Sequence, residues 1–442
     1  MIAKVRICFL AAVLAALSLV AFYGVPVHAN QLLATGSNFG TATTIDSEGN
    51  LITVGNSAPF SIGQAQTFLL KYVPELPDSP NGRLSCMRTF GNGGGNEQPL
   101  DTFGYAVATD SSNNIYVAGT TQTFGGEDYD VFLQQYDQSC NLIYTQQWGG
   151  PGNDIARGIA VDAADNVYIT GSTDSFNNGV TQIFLLKYSP WGSFQFSQEW
   201  GTQNTYGSGV AADSLGNVYV IGTTTGPKGT DAVLLKYDSS GNLLYVKMLG
   251  ATLALNRPLN GTINDYGTGV TVDSGGYVYV TGYTYSFGPT PGVSAVYVMK
   301  YDQAGNLVWQ NIWGGTLNDY ATGIAVDVDA NVYLTGYTKS YSINPGIPSA
   351  FLLKFDQAGN LLFERTWGGN RGDYAYSVAV DTSENAYVTG YTYSFGPNSQ
   401  GANFFILKYD IWQSSLPEDL RRRYSRPVKP HHVHNPARLS SS

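Results

Sequence analysis

Residues Gly323–Thr338 read GIAVDVDANVYLTGYT, and the same phrase returns as GVTVDSGGYVYVTGYT at 269–284 and SVAVDTSENAYVTGYT at 377–392. Each copy is a small or branched run closing on Asp, a short turn closing on Asn or Tyr, and a second branched run ending in Gly-Tyr-Thr. Looser copies centre on Asp46, Asp110, Asp162 and Asp213. With Asp273, Asp327 and Asp381 they make seven, spaced 64, 52, 51, 60, 54 and 54 residues apart. A fixed period in this range means one supersecondary unit stacked many times.

Within a unit the apolar runs have strand length. In the sixth copy the pattern predicts strands at 321–326, 332–335, 351–355 and 361–367, rich in Val, Ile, Tyr, Phe and Thr and bounded by Gly, Asn and Asp. Two turn signatures recur. Asp-x-x-x-Asn joins the first strand to the second, and Tyr/Phe-Asp-x-x-Gly-Asn-Leu joins the third to the fourth at 238–243, 302–307 and 356–361. Asp opens such turns by accepting backbone N–H groups, and Gly or Asn tolerates the left-handed residue that closes them. The turn aspartates are therefore expected to be structural.

Four antiparallel strands repeated seven times predict an all-β, seven-bladed β-propeller over residues 30–410. The first strand fits the innermost place. Four residues before each repeat Asp stand Ala42, Ala106, Gly158, Gly209, Gly269, Gly323 and Ser377, small enough for blades that converge on an axis. The last unit stops at Tyr409-Asp410 without a fourth strand. Asn30–Thr35 resembles the fourth strands, so Leu32–Thr35 is expected to close the ring beside Phe404–Tyr409 and hide an edge.

The Asp-x-x-x-Asn-x-Tyr-x-Thr-Gly-Tyr-Thr core and the Leu-Lys-Tyr-Asp-x-x-Gly-Asn-Leu segment resemble the SBBP β-propeller repeat, and are also similar to NHL-type propeller repeats. The resemblance implies an exported or surface propeller. It brings no catalytic residues with it, because its motif positions are turns and core.

The two ends read differently from the body. Lys4 and Arg6 precede an uncharged apolar run, Ile7–Val25, and Val27-His28-Ala29 is a small-x-small cleavage signal, so residues 1–29 are expected to be a signal peptide. An uncleaved anchor is the alternative reading. Residues 411–442 form a basic tail with His431, His432 and His434 and no strand pattern, expected to be disordered. Between them, residues 30–411 carry 15 Lys and Arg against 31 Asp and Glu, a net charge of −16. Nucleic acid needs a basic footprint, so it is excluded as a partner. The expected product is a secreted, periplasmic or cell-surface monomer without a membrane span after leader cleavage, meeting an extracellular protein or glycan. Export permits a bridge between Cys86 and Cys140, although spacing alone does not establish one.

No histidine falls between residues 30 and 410, which removes Ser-His-Asp, Cys-His and His-metal chemistry from the body. Carboxylates remain. Eight residues before the repeat Asp lie Asp154, Asp265, Asp319 and Asp373, with Asn38, Thr102 and Thr205 in the other units; aromatic side chains follow, including Tyr266, Tyr320 and Tyr374. These seven Asp and Tyr residues are the candidate ligand-binding set at the channel mouth, set against a reading in which Asp caps a loop and the rings pack between blades. No organic cofactor is expected. The metal that such carboxylates favour is Ca²⁺, at Asp265, Asp319 and Asp373. The preferred function is non-enzymatic binding with no catalytic residue, and the alternative is a carbohydrate-active enzyme, hydrolase or lyase, using channel-mouth carboxylates.

Overall fold

The computed structural model describes residues 6–8, 36–59, 65–73, 83–91, 101–122, 128–227, 229–250, 263–286, 288–396 and 401–409. Its architecture is all-β and propeller-like, built of four-stranded antiparallel sheets. The sixth unit shows the pattern: strands Asp319–Val326, Val332–Thr338, Ser349–Phe355 and Leu361–Trp367 pair in sequence order. All four expected strands are present, each within two or three residues of its predicted bounds. Two neighbouring sheets are joined by a short parallel contact, in which Gly229 and Thr230 pair with Ile263 and Asn264.

The first strand of each unit lies innermost, and each touches the next. An added Cβ on Gly158 would come within 3.0 Å of the Gly209 Cα, and one on Gly323 within 2.9 Å of the Tyr376 carbonyl. Small residues are required there because backbone meets backbone. The Gly of the Gly-Tyr-Thr motif has a different cause. A β-bulge in every first strand, such as that between Ala321 and Gly323, swings a carbonyl into the place its Cβ would occupy: Tyr320 O at Gly336, Tyr374 O at Gly390.

The turn aspartates are structural. Asp327 Oδ1 accepts the N–H groups of Asp329 and Asn331 at 3.0 and 2.8 Å, and Oδ2 accepts the Asn331 amide at 2.8 Å. The Tyr333 hydroxyl donates to the same Oδ2 at 3.0 Å, and Lys354 lies over that ring with Nζ 4.9 Å from its centroid. The Asp–Tyr–Lys arrangement recurs with Tyr168, Tyr219 and Tyr279. Unit one has Ile52 where the tyrosine stands, and there Lys71 reaches Asp46 directly at 3.0 Å. Packing between neighbouring sheets completes the core. One cluster joins Tyr333, Ala350 and Leu352 of unit six to Val388, Phe405 and Leu407 of unit seven.

A disulfide links Cys86 to Cys140, with Cα atoms 6.3 Å apart, tying the outer strand Arg83–Phe90 of unit one to a hairpin of unit two. The last sheet has Asn403–Tyr409 as its third strand. Beside it lies Arg6–Cys8, in the register Arg6 to Lys408 and Cys8 to Ile406. Leu32–Thr35, expected in that place, lies outside the described residues, as does the tail after Tyr409. Among the described residues no helix is long and apolar enough to cross a membrane.

Candidate functional site

The loops from fourth to first strand and from second to third strand share one face, and the predicted site residues lie beneath them. Asp319 and Asp373 open their inner strands and are 0% and 1% exposed. Asp319 Oδ2 accepts Gly315 N–H at 3.0 Å and the Ser340 hydroxyl at 2.7 Å; Oδ1 accepts Thr338 Oγ1 at 2.5 Å and Ser340 N–H at 3.2 Å. Asp373 repeats this with Gly369, Ser394 and Thr392, and Asp154 takes Gly150 N–H and the Ser175 hydroxyl. Asp265 accepts the Ser286 hydroxyl at 3.2 Å. Asp154, Asp319 and Asp373 are thus brackets, each holding the loop that precedes its strand against the loop that follows the next, while Asp265 holds the second of these loops. All four are buried. Asp265, Asp319 and Asp373 do not meet: among the described residues no group of three or more Asp, Glu, His or Cys side chains is placed to hold a metal.

The tyrosines do come together. Tyr266 stacks on Tyr283 at 4.6 Å between centroids, Tyr283 meets Tyr320 edge-on at 4.9 Å, and Tyr320 leans on Tyr337 at 4.9 Å. Tyr337 meets Tyr374 at 5.0 Å, Tyr374 stacks on Tyr391 at 4.9 Å, and Tyr391 meets Phe39 of unit one at 4.9 Å. These are favourable ring geometries, and they form a continuous arc across units five, six, seven and one. The three predicted tyrosines are half-buried in it, so inter-unit packing is their first role.

Two pairs of facing carboxylates were not foreseen. A residue near the start of the third strand lies across a glycine from one near the start of the next inner strand. Gly314 sits between Ala295 and Asp319, and Gly368 between Ser349 and Asp373. At Gly149 the flanking groups are Asp130 and Asp154, and at Gly250 they are Asp231 and Asp265. Burial, then the Asp154 charge, pushes the Asp130 carboxyl up. Burial likewise raises Asp231, whose Oδ1 accepts Gly250 N–H at 2.7 Å. Burial and the Asp231 charge push Asp265 up to about 6, against hydrogen bonds from Thr284 and Ser286.

Beside the second pair opens a cavity of about 790 Å³ between units three and four, lined by Gln182, Glu199, Trp200, Gln203, Pro227 and Asp231 among others. It occurs where the repeat departs from itself. Trp148 is covered by Phe176 at 5.2 Å and Phe184 at 4.9 Å, and Trp313 by Tyr341 and Phe351, each at 4.8 Å. The corresponding neighbours of Trp200 are Pro227 and Val233. The bracket is altered here too. Thr205 replaces its Asp and Gly226 its Ser, and Thr205 Oγ1 donates to Trp200 O at 2.9 Å. Sequence reasoning passed over this place. Its signal was present as two coincident exceptions, Pro227 and Val233, at positions that are aromatic in the six other units.

Comparison with known proteins agrees with the repeat. The SBBP family model, described as a beta-propeller repeat, matches at residues 94–123, 143–179, 195–227 and 356–396. The chain is 25% identical over 450 residues to an uncharacterized WD repeat-containing protein, L264, of Acanthamoeba polyphaga mimivirus, covering 86% of this chain and 31% of that protein. It is 30% identical over 176 residues to the regulatory protein FlaEY of Caulobacter vibrioides, covering 35% and 17%. The chain therefore spans about a third or less of these relatives. Among solved structures it is similar to the beta-propeller domain of the Trilobed protease from Pyrococcus furiosus, at TM-score 0.46 and 9% identity over 85% of this chain and 95% of that one. It is also similar to the polysaccharide lyase Uly1, at TM-score 0.47 and 9% identity over 91% and 96%.

Proposed function

We propose that this chain of SBBP-type β-propeller repeats is an exported, non-enzymatic binding or surface-interaction protein. In this reading residues 30–410 form a seven-bladed ring, and the face carrying the fourth-to-first and second-to-third loops is its contact surface. The blade count is supported by the seven inner strands and by contacts between the last and the first: Ser377 Oγ accepts Thr43 N–H at 3.1 Å, and Phe39 meets Tyr391. In this reading Leu32–Thr35 closes the ring. Leader removal would vacate the edge that Arg6–Cys8 occupies and leave it to Leu32–Thr35. Deleting residues 30–35 should then lower the melting temperature of the processed chain, and an unchanged melt would remove the idea.

The observation that carries the binding reading is the commitment of the best-placed carboxylates. Asp319 and Asp373, the adjacent pair on which a carbohydrate-active enzyme would depend, are buried and spend their oxygens on Thr, Ser and Gly of their own units. The body supplies no histidine to do their work. The partner class is an extracellular protein or glycan, met by a monomer. Tyr266, Tyr320 and Tyr374 and the loops above them supply the contact, and the brackets keep those loops in shape. Calcium, the one metal expected from the sequence, would have to be held on loop carbonyls near single aspartates. A glycan array paired with a glycosidase and lyase screen tests the proposal: binding without turnover supports it, and turnover abolished by Asp319→Asn overturns it. A second reading draws on one observation. Asp231, raised by burial, stands with Glu199 in the wall of the cavity, and a carboxyl that keeps its proton is the usual acid of glycoside cleavage. The same screen on Asp231→Asn addresses it.

A further inference from the structure

We propose that the cavity over Trp200 is a binding site for a neutral glycan segment; this rests on the binding reading above and names its site and ligand class. The cavity is made by subtraction. Second-to-third loops carry Phe60, Phe124, Phe176, Phe287, Tyr341 and Phe395, but Pro227 in unit four. Third strands carry Phe68, Phe132, Phe184, Tyr297, Phe351 and Phe405, but Val233 in unit four. Both losses fall against the same indole, so Trp200 has no ring partner among the described residues, whereas Trp148 and Trp313 have two each. A second change keeps the space open. Gly229 and Thr230, on the far wall of the cavity, pair with Ile263 and Asn264 of unit five, which fixes that wall.

The walls are chemically selective. One aromatic face lies among hydroxyls and amides, Thr202, Gln203, Thr224, Thr225 and Thr230, with the carboxylates Glu199 and Asp231. A sugar ring offers what this arrangement receives: a C–H face for the indole and hydroxyls for the amide, hydroxyl and carboxylate groups. A volume of about 790 Å³ is within the usual range for ligand sites. Among the described residues the lining has two carboxylates, Glu199 and Asp231, on a body of net charge −16, which favours neutral over uronic acid or sulfated chains. A lone ammonium group would leave most of the volume and most of the hydroxyl rim unused, which favours the polyhydroxylated ligand over a basic peptide.

The test uses the purified full chain and isothermal titration with cellohexaose, xylohexaose, mannohexaose, laminarihexaose and chitohexaose. Hexagalacturonate and hexalysine serve as charged controls. Two variants accompany it. Pro227→Phe restores the ring that other units carry and fills the space without removing a contact, so its melt should equal or exceed that of the parent. Trp200→Leu removes the platform. The expected result is binding of at least one neutral hexasaccharide, weakened tenfold or more in both variants, with no binding of hexagalacturonate. Neutral glycan binding unchanged in Pro227→Phe overturns the site while leaving the binding role intact. Hexalysine binding lost in Pro227→Phe, with no glycan bound, overturns the ligand class. Absence of any glycan or protein ligand overturns both readings. Turnover of a bound hexasaccharide that Pro227→Phe abolishes upholds the site and overturns the non-enzymatic role.

Discussion

Raising the pH from 4 to 7.5 should cost this protein stability, and Asp265 sets the size of the effect. Its carboxyl is 1% exposed and pushed up to about 6 from 3.8, first by burial and then by Asp231 across Gly250. A carboxyl whose folded pKa lies above its unfolded one contributes stability that is fully present below the unfolded value. That stability is lost as pH climbs through the folded value, because the unfolded chain gives up its proton first. The window is therefore about pH 4 to 6, and at about 1.36 kcal/mol per unit the loss is about 3 kcal/mol. Asp130, Asp154, Asp231 and Asp373 are raised by burial as well and act in the same direction. The hairpin residues Asp137, Asp238, Asp302 and Asp356 are lowered, chiefly by hydrogen bonds from the Asn four residues on. They oppose the trend only as pH falls below the ordinary carboxyl range. Urea denaturation at pH 4.5, 6 and 7.5 measures the effect. In Asp265→Asn, where no charge has to be buried, the difference between pH 4.5 and 7.5 should shrink by about 2 kcal/mol, the remainder of the effect lying below pH 4.5. An identical pH dependence in parent and variant, or a parent that is more stable at pH 7.5, would refute the reasoning.

Asp319→Ala removes the acceptor of four hydrogen bonds in a site without solvent and should destabilise by about 3 kcal/mol, with Asp319→Asn recovering part of it in the same melts. Reducing the Cys86–Cys140 bridge should lower stability by about 2–4 kcal/mol, read as the shift in urea midpoint with and without reductant. Since Asp265, Asp319 and Asp373 do not share a site, melts in EDTA and in millimolar calcium should superimpose. A shift equivalent to about 2.7 kcal/mol at 100 times Kd would instead show an ion on the folded state. Lys71→Met leaves Asp46 without its direct ion pair and should destabilise more than Lys408→Met, whose ammonium lies over the Tyr387 ring.

Whatever depends on one strand and its neighbour in sequence was legible. The turn aspartates and the small inner strands follow from spacing, because each acts within one unit or repeats between units. What depends on sideways contact was not. Asp130 and Asp231 stand near the start of third strands where other units have Gln66, Gln182, Ala295, Ser349 and Asn403, and nothing local says that each faces a residue near the start of the next inner strand. The Trp200 cavity is hidden for the same reason, since Trp200, Pro227 and Val233 meet only across a boundary between units. Asp154, Asp265, Asp319 and Asp373 were found by position, and the reading in which Asp caps a loop anticipated the Gly N–H bonds of Asp154, Asp319 and Asp373. Their Thr and Ser partners lie some twenty residues on, beyond the reach of a local pattern.

The tyrosine arc has a spectroscopic consequence. Phenol rings held 4.6 to 5.0 Å apart at fixed angles, from Tyr266 through Tyr391, are close enough for their electronic transitions to couple. The near-ultraviolet circular dichroism of this protein should therefore carry a tyrosine band larger than that of isolated phenols. Because this run of phenols crosses two successive boundaries, from unit five to six and six to seven, parting either one cuts the coupled system. The band then reports on the seams between units rather than on strand content. A far-ultraviolet spectrum that persists while this band collapses would identify intact blades that have come apart.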